Sequence, residues 1–123
     1  MNGQKVVLDV GQCSADHSAI RMLCEGMGAL VERAHTADEA LSRIARGGVS
    51  LVLVNRILDA DGSDGLSLIS DICSKATNPL PVMLVSNYPH FQEEAVCRGA
   101  VLGFGKSKLH AHETRACLEP FLR

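Results

Sequence analysis

Few residues in this sequence have the types and spacing to do chemistry. Gly103–Ser107 (GFGKS) looks like the tail of a phosphate-binding loop, in which a Gly-rich turn cradles phosphate while Lys and Ser reach it. That motif needs Gly at position 100; the chain has Ala100, with Gly99 one residue too early. Asp59-Ala-Asp61-Gly-Ser-Asp64-Gly65 matches a calcium loop at its first and third positions. Asp64 stands where the loop's Gly belongs and Ser70 where its bidentate Glu belongs, so a solvated turn is expected. His110 and His112 are two apart and point in different directions on a helix, which makes a poor metal site. Cys13, beside Ser14 at a helix start, reads as an ordinary loop thiol. No metal site is predicted. One further polar residue stands out by position: Asn55, where the apolar run Val49–Asn55 (VSLVLVN) stops.

That run, bounded by Gly47-Gly48 and by the loop RILDADGSDG, reads as a central parallel strand buried on both faces. In open α/β sheets, ligands collect beyond the carboxyl ends of the strands, which puts Asn55 at the mouth of any site. The other elements follow from pattern. Lys5–Val10 is a first strand, interrupted by Asp9 and broken by Gly11. Ser14 is a candidate N-cap for a helix with Ile20, Leu23, Cys24 and Met27 on one face, closed by Gly28. Ala29–Ala34 is a strand with Glu32 and Arg33 suited to a sheet edge. Thr36–Glu39 is a capping box opening a helix with Ala37, Ala40, Leu41 and Ile44 inward. A third helix spans Gly65–Lys75 and ends at Asn78-Pro79-Leu80-Pro81, before a strand over Val82–Ser86. A fourth helix runs from about His90 to Arg98 and a fifth strand over Ala100–Phe104. Ser107 is a candidate cap for a last helix, whose hydrogen bonding falters near Pro120. Strands alternating with helices imply successive βα units, five of each, with right-handed crossovers and a parallel sheet wrapped by helices.

The 123 residues, 46% hydrophobic and 21% charged, fit one domain over residues 1–123 with a substantial core. Net charge is −2 with Lys and Arg scattered, and one Tyr, three Phe and no Trp leave no stacking platform, which argues against nucleic acid as a partner. The cysteines (Cys13, Cys24, Cys73, Cys97, Cys117) are odd in number and lack CxxC spacing, as expected of core thiols in a reducing cytoplasm. No signal region follows Met1-Asn2-Gly3-Gln4, and no apolar stretch is long enough to span a membrane, so a cytoplasmic location is expected.

With LVLVN ending strand three, AHTADEAL in helix two, PVMLVS in strand four, and RGA followed six residues later by Lys106, the chain resembles the receiver domain of bacterial response regulators from Lys5 to Leu122. The resemblance implies a three-layer α/β/α sandwich, a flavodoxin-like (βα)5 sheet with strand order 2-1-3-4-5. It also implies a site that takes a phosphoryl group from a histidine kinase onto an Asp after strand three. That transfer uses Mg²⁺ held by that Asp and an acidic pair after strand one, a Thr or Ser after strand four, and a Lys after strand five.

Matched position by position, the nucleophile is Asn55, which is neither a competent nucleophile nor an anionic ligand. The acidic pair falls on Val10 and Gly11 in one register and on Gly11 and Gln12 in the other, and only a gap brings Asp9 into the first position. Ser86 and Lys106 are retained. The aromatic switch position before Lys106 is Gly103, the Pro usually following it is Ser107, and the loop after Asn55 is about two residues longer than usual by the family pattern.

The expectation is an atypical, phosphorylation-independent receiver: not an enzyme, without cofactor or Mg²⁺, acting on protein partners in a phosphorelay pathway. The α4–β5–α5 face, with Tyr88, His90, Phe91, Gln92, Lys108 and His112, is expected to serve partners or a homodimer. Asn55 either pairs with Ser86 or Lys106 and fixes a signalling conformation, or is a relic. Lys106 either extends to solvent or pairs with Asn55 or Asp9, which needs a partner if buried. The alternatives are a phospho-accepting receiver using Asp9 or Asp59, and a small nucleotide-binding enzyme on the same sheet.

Overall fold

A computed structural model describes residues 3–75 and 80–123. The chain alternates strictly: β1 (Val6–Val10), α1 (Ser14–Gly26), β2 (Leu30–Ala34), α2 (Ala37–Ala45), β3 (Leu51–Asn55), α3 (Gly65–Lys75), β4 (Val82–Val85), α4 (Pro89–Cys97), β5 (Val101–Phe104) and α5 (His112–Leu122), with a 3-10 turn over Lys106–Lys108. All strand pairs are parallel, in the order β2-β1-β3-β4-β5, so β3 is central and β2 an edge. The predicted fold is the observed one.

Strand alternation divides the core in two. Leu8, Val10, Val52, Val54, Val82 and Leu84 pack with Ala40, Leu66, Ile69, Ile72 and Ala95 of α2, α3 and α4. Val7, Leu51, Leu53, Met83 and Val85 pack with Ile20, Cys24, Leu118 and Leu122 of α1 and α5. Asp9 shares the parity of Val7 and is therefore directed into the α1 layer. Its environment is fixed by the pleat of β1.

Local signals explain most element ends. Thr36 Oγ1 accepts from the Glu39 N–H (3.2 Å), and Glu39 Oε1 accepts from the His35 N–H (2.9 Å), so the capping box closes one residue earlier than its standard form. Two predicted caps are corrected. Ser14 is the first helical residue and Cys13 the uncapped N-cap of α1, because the Ser14 hydroxyl instead meets Arg33 Nη2 (3.4 Å). Ser107 lies in the 3-10 turn, and α5 starts at His112 after Ala111, without a side-chain cap. Pro120 sits inside α5, which continues to Leu122. The predicted stop at Asn78-Pro79 lies outside the described residues.

Candidate functional site

The carboxyl ends of β1, β3, β4 and β5 form one end of the sheet, and its two halves differ. On the β1–β3 half, the chain leaves β1 through Gly11 at φ +78°, a conformation that favours glycine. A Cβ at Gly11 would overlap Leu58 Cδ2 and lie 3.0 Å from Leu58 Cα. Leu58 is fully buried. The loop after β3 is held over the end of β1 by two donors to one acceptor: the Asp59 N–H (2.9 Å) and Asn55 Nδ2 (3.0 Å) both reach the Gly11 carbonyl oxygen. It closes where the Gly65 N–H meets the Arg56 carbonyl oxygen (2.8 Å), so tightly that a Cβ at Gly65 would overlap the Asn55 carbonyl oxygen. Hydrocarbon fills the space beside Gly11. Asn55 pairs with neither Ser86 nor Lys106, the partners its position suggested.

Asp9 lies beneath this plug, fully buried, and shares a 2.7 Å hydrogen bond with His17 Nδ1 of α1. Burial pushes its carboxyl up to about 6, against the opposing influence of His17 and Arg33. Asp9 Oδ1 and both amide atoms of the buried Gln12 meet no hydrogen-bond partner among the described residues. The same burial, with Asp9 nearby, pushes the Cys24 thiol up to about 12. Val10 is buried in the core.

On the β4–β5 half a cavity of about 370 Å³ remains, lined by Asn55, Arg56, Ile57, Val85, Ser86, Asn87, Tyr88, Phe91 and Lys106. Ser86 is buried, and its hydroxyl accepts from the Tyr88 N–H (3.3 Å). Lys106 Nζ pairs with Asp16 Oδ2 of α1 (2.9 Å), not with Asn55 or Asp9, and its ammonium holds the Asp16 carboxyl below its ordinary value despite partial burial. Arg56 pairs with Asp64 (2.7 Å) and lies 4.3 Å over the Phe91 ring. The Ser107 N–H (3.0 Å) and hydroxyl (3.1 Å) both donate to Asn87 Oδ1, tying the loop after β5 to the loop after β4.

Of the residues assigned to the α4–β5–α5 face, Tyr88, His90, Lys108 and His112 are exposed and Phe91 is half-buried. Gln92 is buried, and this corrects its assignment to the face. Its Nε2 donates to the carbonyl oxygens of Leu84 (2.9 Å), Ser86 (3.1 Å) and Phe104 (3.3 Å), and its Oε1 accepts from the Gly103 N–H (3.1 Å). A Cβ at Gly103 would overlap the Leu84 carbonyl oxygen, next to an irregularity in the β4–β5 pairing. The clamp between β4 and β5 is a side-chain amide from α4.

The remaining motifs stay apart. The Ser63 N–H (3.0 Å) and hydroxyl (2.7 Å) donate to Asp61 Oδ1, so the Asp-rich loop closes on itself. Among the described residues no three His, Cys, Asp or Glu side chains converge on a common centre, and no helix is long and apolar enough to cross a membrane. Sequence reasoning missed Asp16, His17 and Leu58. Only the odd apolar Leu58 in a polar loop gave any signal.

No family model and no curated protein matches this sequence. Solved structures do. The BeF3-activated N-terminal receiver domain of RstA from Klebsiella pneumoniae superposes with a TM-score of 0.79 at 21% identity, covering 97% of this chain and 99% of that one. A two-component response regulator from Clostridium difficile gives 0.72 at 19% identity, over 94% and 96% of the two chains. Against NtrX from Brucella abortus the TM-score is 0.71 at 24% identity, covering 90% of this chain, which spans 27% of the NtrX chain. This chain has the fold of response-regulator receiver domains.

Proposed function

We propose that this chain is a receiver domain of a bacterial two-component pathway that works without phosphorylation, as a protein-interaction module. One observation carries the reading: Leu58 fills the space beside Gly11 where a metal-binding carboxylate would stand. The residues present do not fit Mg²⁺. Asp9 is buried against His17, Gly11 has no room for a side chain, and Asn55 presents a neutral amide already bonded to the Gly11 carbonyl oxygen, so a hard cation finds no cluster of anionic oxygens. The same burial argues against Asp9 as an alternative phospho-acceptor.

What remains is a surface. Between α4 and β5 lies a groove of about 740 Å³, with Val96 and Leu102 exposed beside it and Glu93 and Lys108 in its lining. Together with Tyr88, His90 and His112 it is the face through which this reading has the domain engage a protein partner or a second copy. Acetyl phosphate with Mg²⁺ tests the reading by intact mass, which is expected to stay unchanged. A stoichiometric gain of one phosphoryl group mapped to Asp9 or Asp59 overturns it.

A further inference from the structure

We propose that the groove between α4 and β5 binds a small amphipathic monocarboxylate, with an extended apolar chain along the groove and its carboxylate on Lys108. The inference deepens the reading above and rests on it, because the groove is the face there given to a protein partner, and a ligand in it competes with that partner.

The walls of the groove are apolar because the main chain that forms them is already engaged. The buried Gln92 amide accepts from the Gly103 N–H (3.1 Å) and donates to the carbonyl oxygens of Leu84, Ser86 and Phe104. The Cys117 thiol donates to the Leu102 carbonyl oxygen (3.1 Å). Val96 on one wall and Leu102 on the other stay 44% and 64% exposed, apolar surface that a ligand takes out of water.

The two ends of the groove differ in chemistry. One end is formed by Asn87, Ser107 and Lys108 and the other by Val96, Cys97 and Leu102, because α4 descends from the loop after β4 while β5 rises beside it. The helical wall, nine residues long, measures about 12 Å at 1.5 Å per residue. An extended carbon chain spans roughly 1.2 Å per bond, so about eight carbons fill that length. The volume of about 740 Å³ is that of a small-molecule site.

Charge fixes the head group. Lys108 and Glu93 both line the groove, and neither makes an ion pair among the described residues. Asn87 Oδ1 is taken by the Ser107 N–H and hydroxyl, so what Asn87 can offer a ligand is its amide N–H. A carboxylate at this end meets an ammonium and an amide donor, whereas an amine meets donors alone. Glu93, on the α4 wall, repels a second negative charge and so limits the ligand to one.

Amide NMR titrations of the whole chain with octanoate, octanedioate and octylamine, at constant ionic strength, test the site. Saturable shifts are expected with octanoate at Val96, Cys97, Leu102 and Gly105–Lys108, with binding about threefold or more tighter than for either other probe. Lys108→Met is expected to weaken octanoate by roughly threefold to tenfold, and Leu102→Ser by about fivefold; both positions are exposed, so the folded spectrum is expected to persist elsewhere. Shifts that do not saturate, octanedioate or octylamine binding as tightly as octanoate, or a Lys108→Met variant that binds as well as the parent each overturn the proposal. Shifts at the same residues on raising the protein concentration alone, with a doubled hydrodynamic mass, identify a second copy as the occupant and also overturn it. Intact mass after acetyl phosphate separates the two readings: an added phosphoryl group defeats the proposed function, whereas absent saturation with unchanged mass defeats only this ligand.

Discussion

The two halves of the sheet end are filled differently. At β1 and β3 the space beside Gly11 is closed by Leu58, with Gly11 and Gly65 leaving room for close backbone contact and nothing else. At β4 and β5 the half-open end is polar, with Lys106 paired to Asp16 of α1 and Arg56 paired to Asp64 of its own loop. The difference follows from cost. A buried sheet end must be apolar or carry unpaired groups, whereas a half-open one holds charges at little cost because water and exposed counter-ions screen them.

The largest effect expected from breaking this contrast is at Gly11. Gly11→Asp puts a side chain on a residue at φ +78° and into Leu58, and is expected to destabilise the fold by roughly 3–5 kcal/mol in urea unfolding. In a Leu58→Ala background the same substitution is expected to cost less, since the overlap is gone. Costs that add within about 0.5 kcal/mol would show that Leu58 is not the obstacle.

Next comes Asp9, through pH. Its carboxyl, raised from 3.8 to about 6 by burial, keeps its proton to higher pH in the folded state than in the unfolded chain. The stability it contributes is therefore complete below 3.8 and is lost as pH rises through about 6, a swing of roughly 3 kcal/mol. Asp9→Asn is expected to flatten the stability profile between those values and to unfold at higher urea than the parent at pH 8. An unchanged slope removes Asp9 as its source.

Asn55→Asp is expected to have the smallest of these effects, and it sharpens the comparison at the boundary of the two halves. The carboxylate loses the donor to the Gly11 carbonyl oxygen and sets an acceptor against it, at a cost of roughly 1–3 kcal/mol. Without a neighbouring acidic pair, the variant is expected to gain no phosphoryl group from acetyl phosphate. If Asn55 were a relic with no structural part, unfolding would stay within about 1 kcal/mol of the parent.

The sequence by itself determined the layers, the order of the elements and the central place of β3, because apolar periodicity and glycine punctuation are local and repeat along the chain. It also placed Asn55, Ser86 and Lys106 at one end of the sheet, since strand ends follow from strand limits. Partner choice was decided by the tertiary structure. His17 reaches Asp9 because the pleat of β1 turns that side chain toward α1, and Asp16 reaches Lys106 because the first turn of α1 and the turn after β5 lie at the same end of the sheet. Gln92 was read as a surface residue of α4 and is instead the clamp between β4 and β5. Leu58 gave only the oddity of an apolar residue in an acidic loop, and its place over Gly11 depends on the path of that loop. Periodicity assigns a residue to a face of its own element, but the polar group it meets across the interface depends on how two elements pack, and that information is not local in the chain.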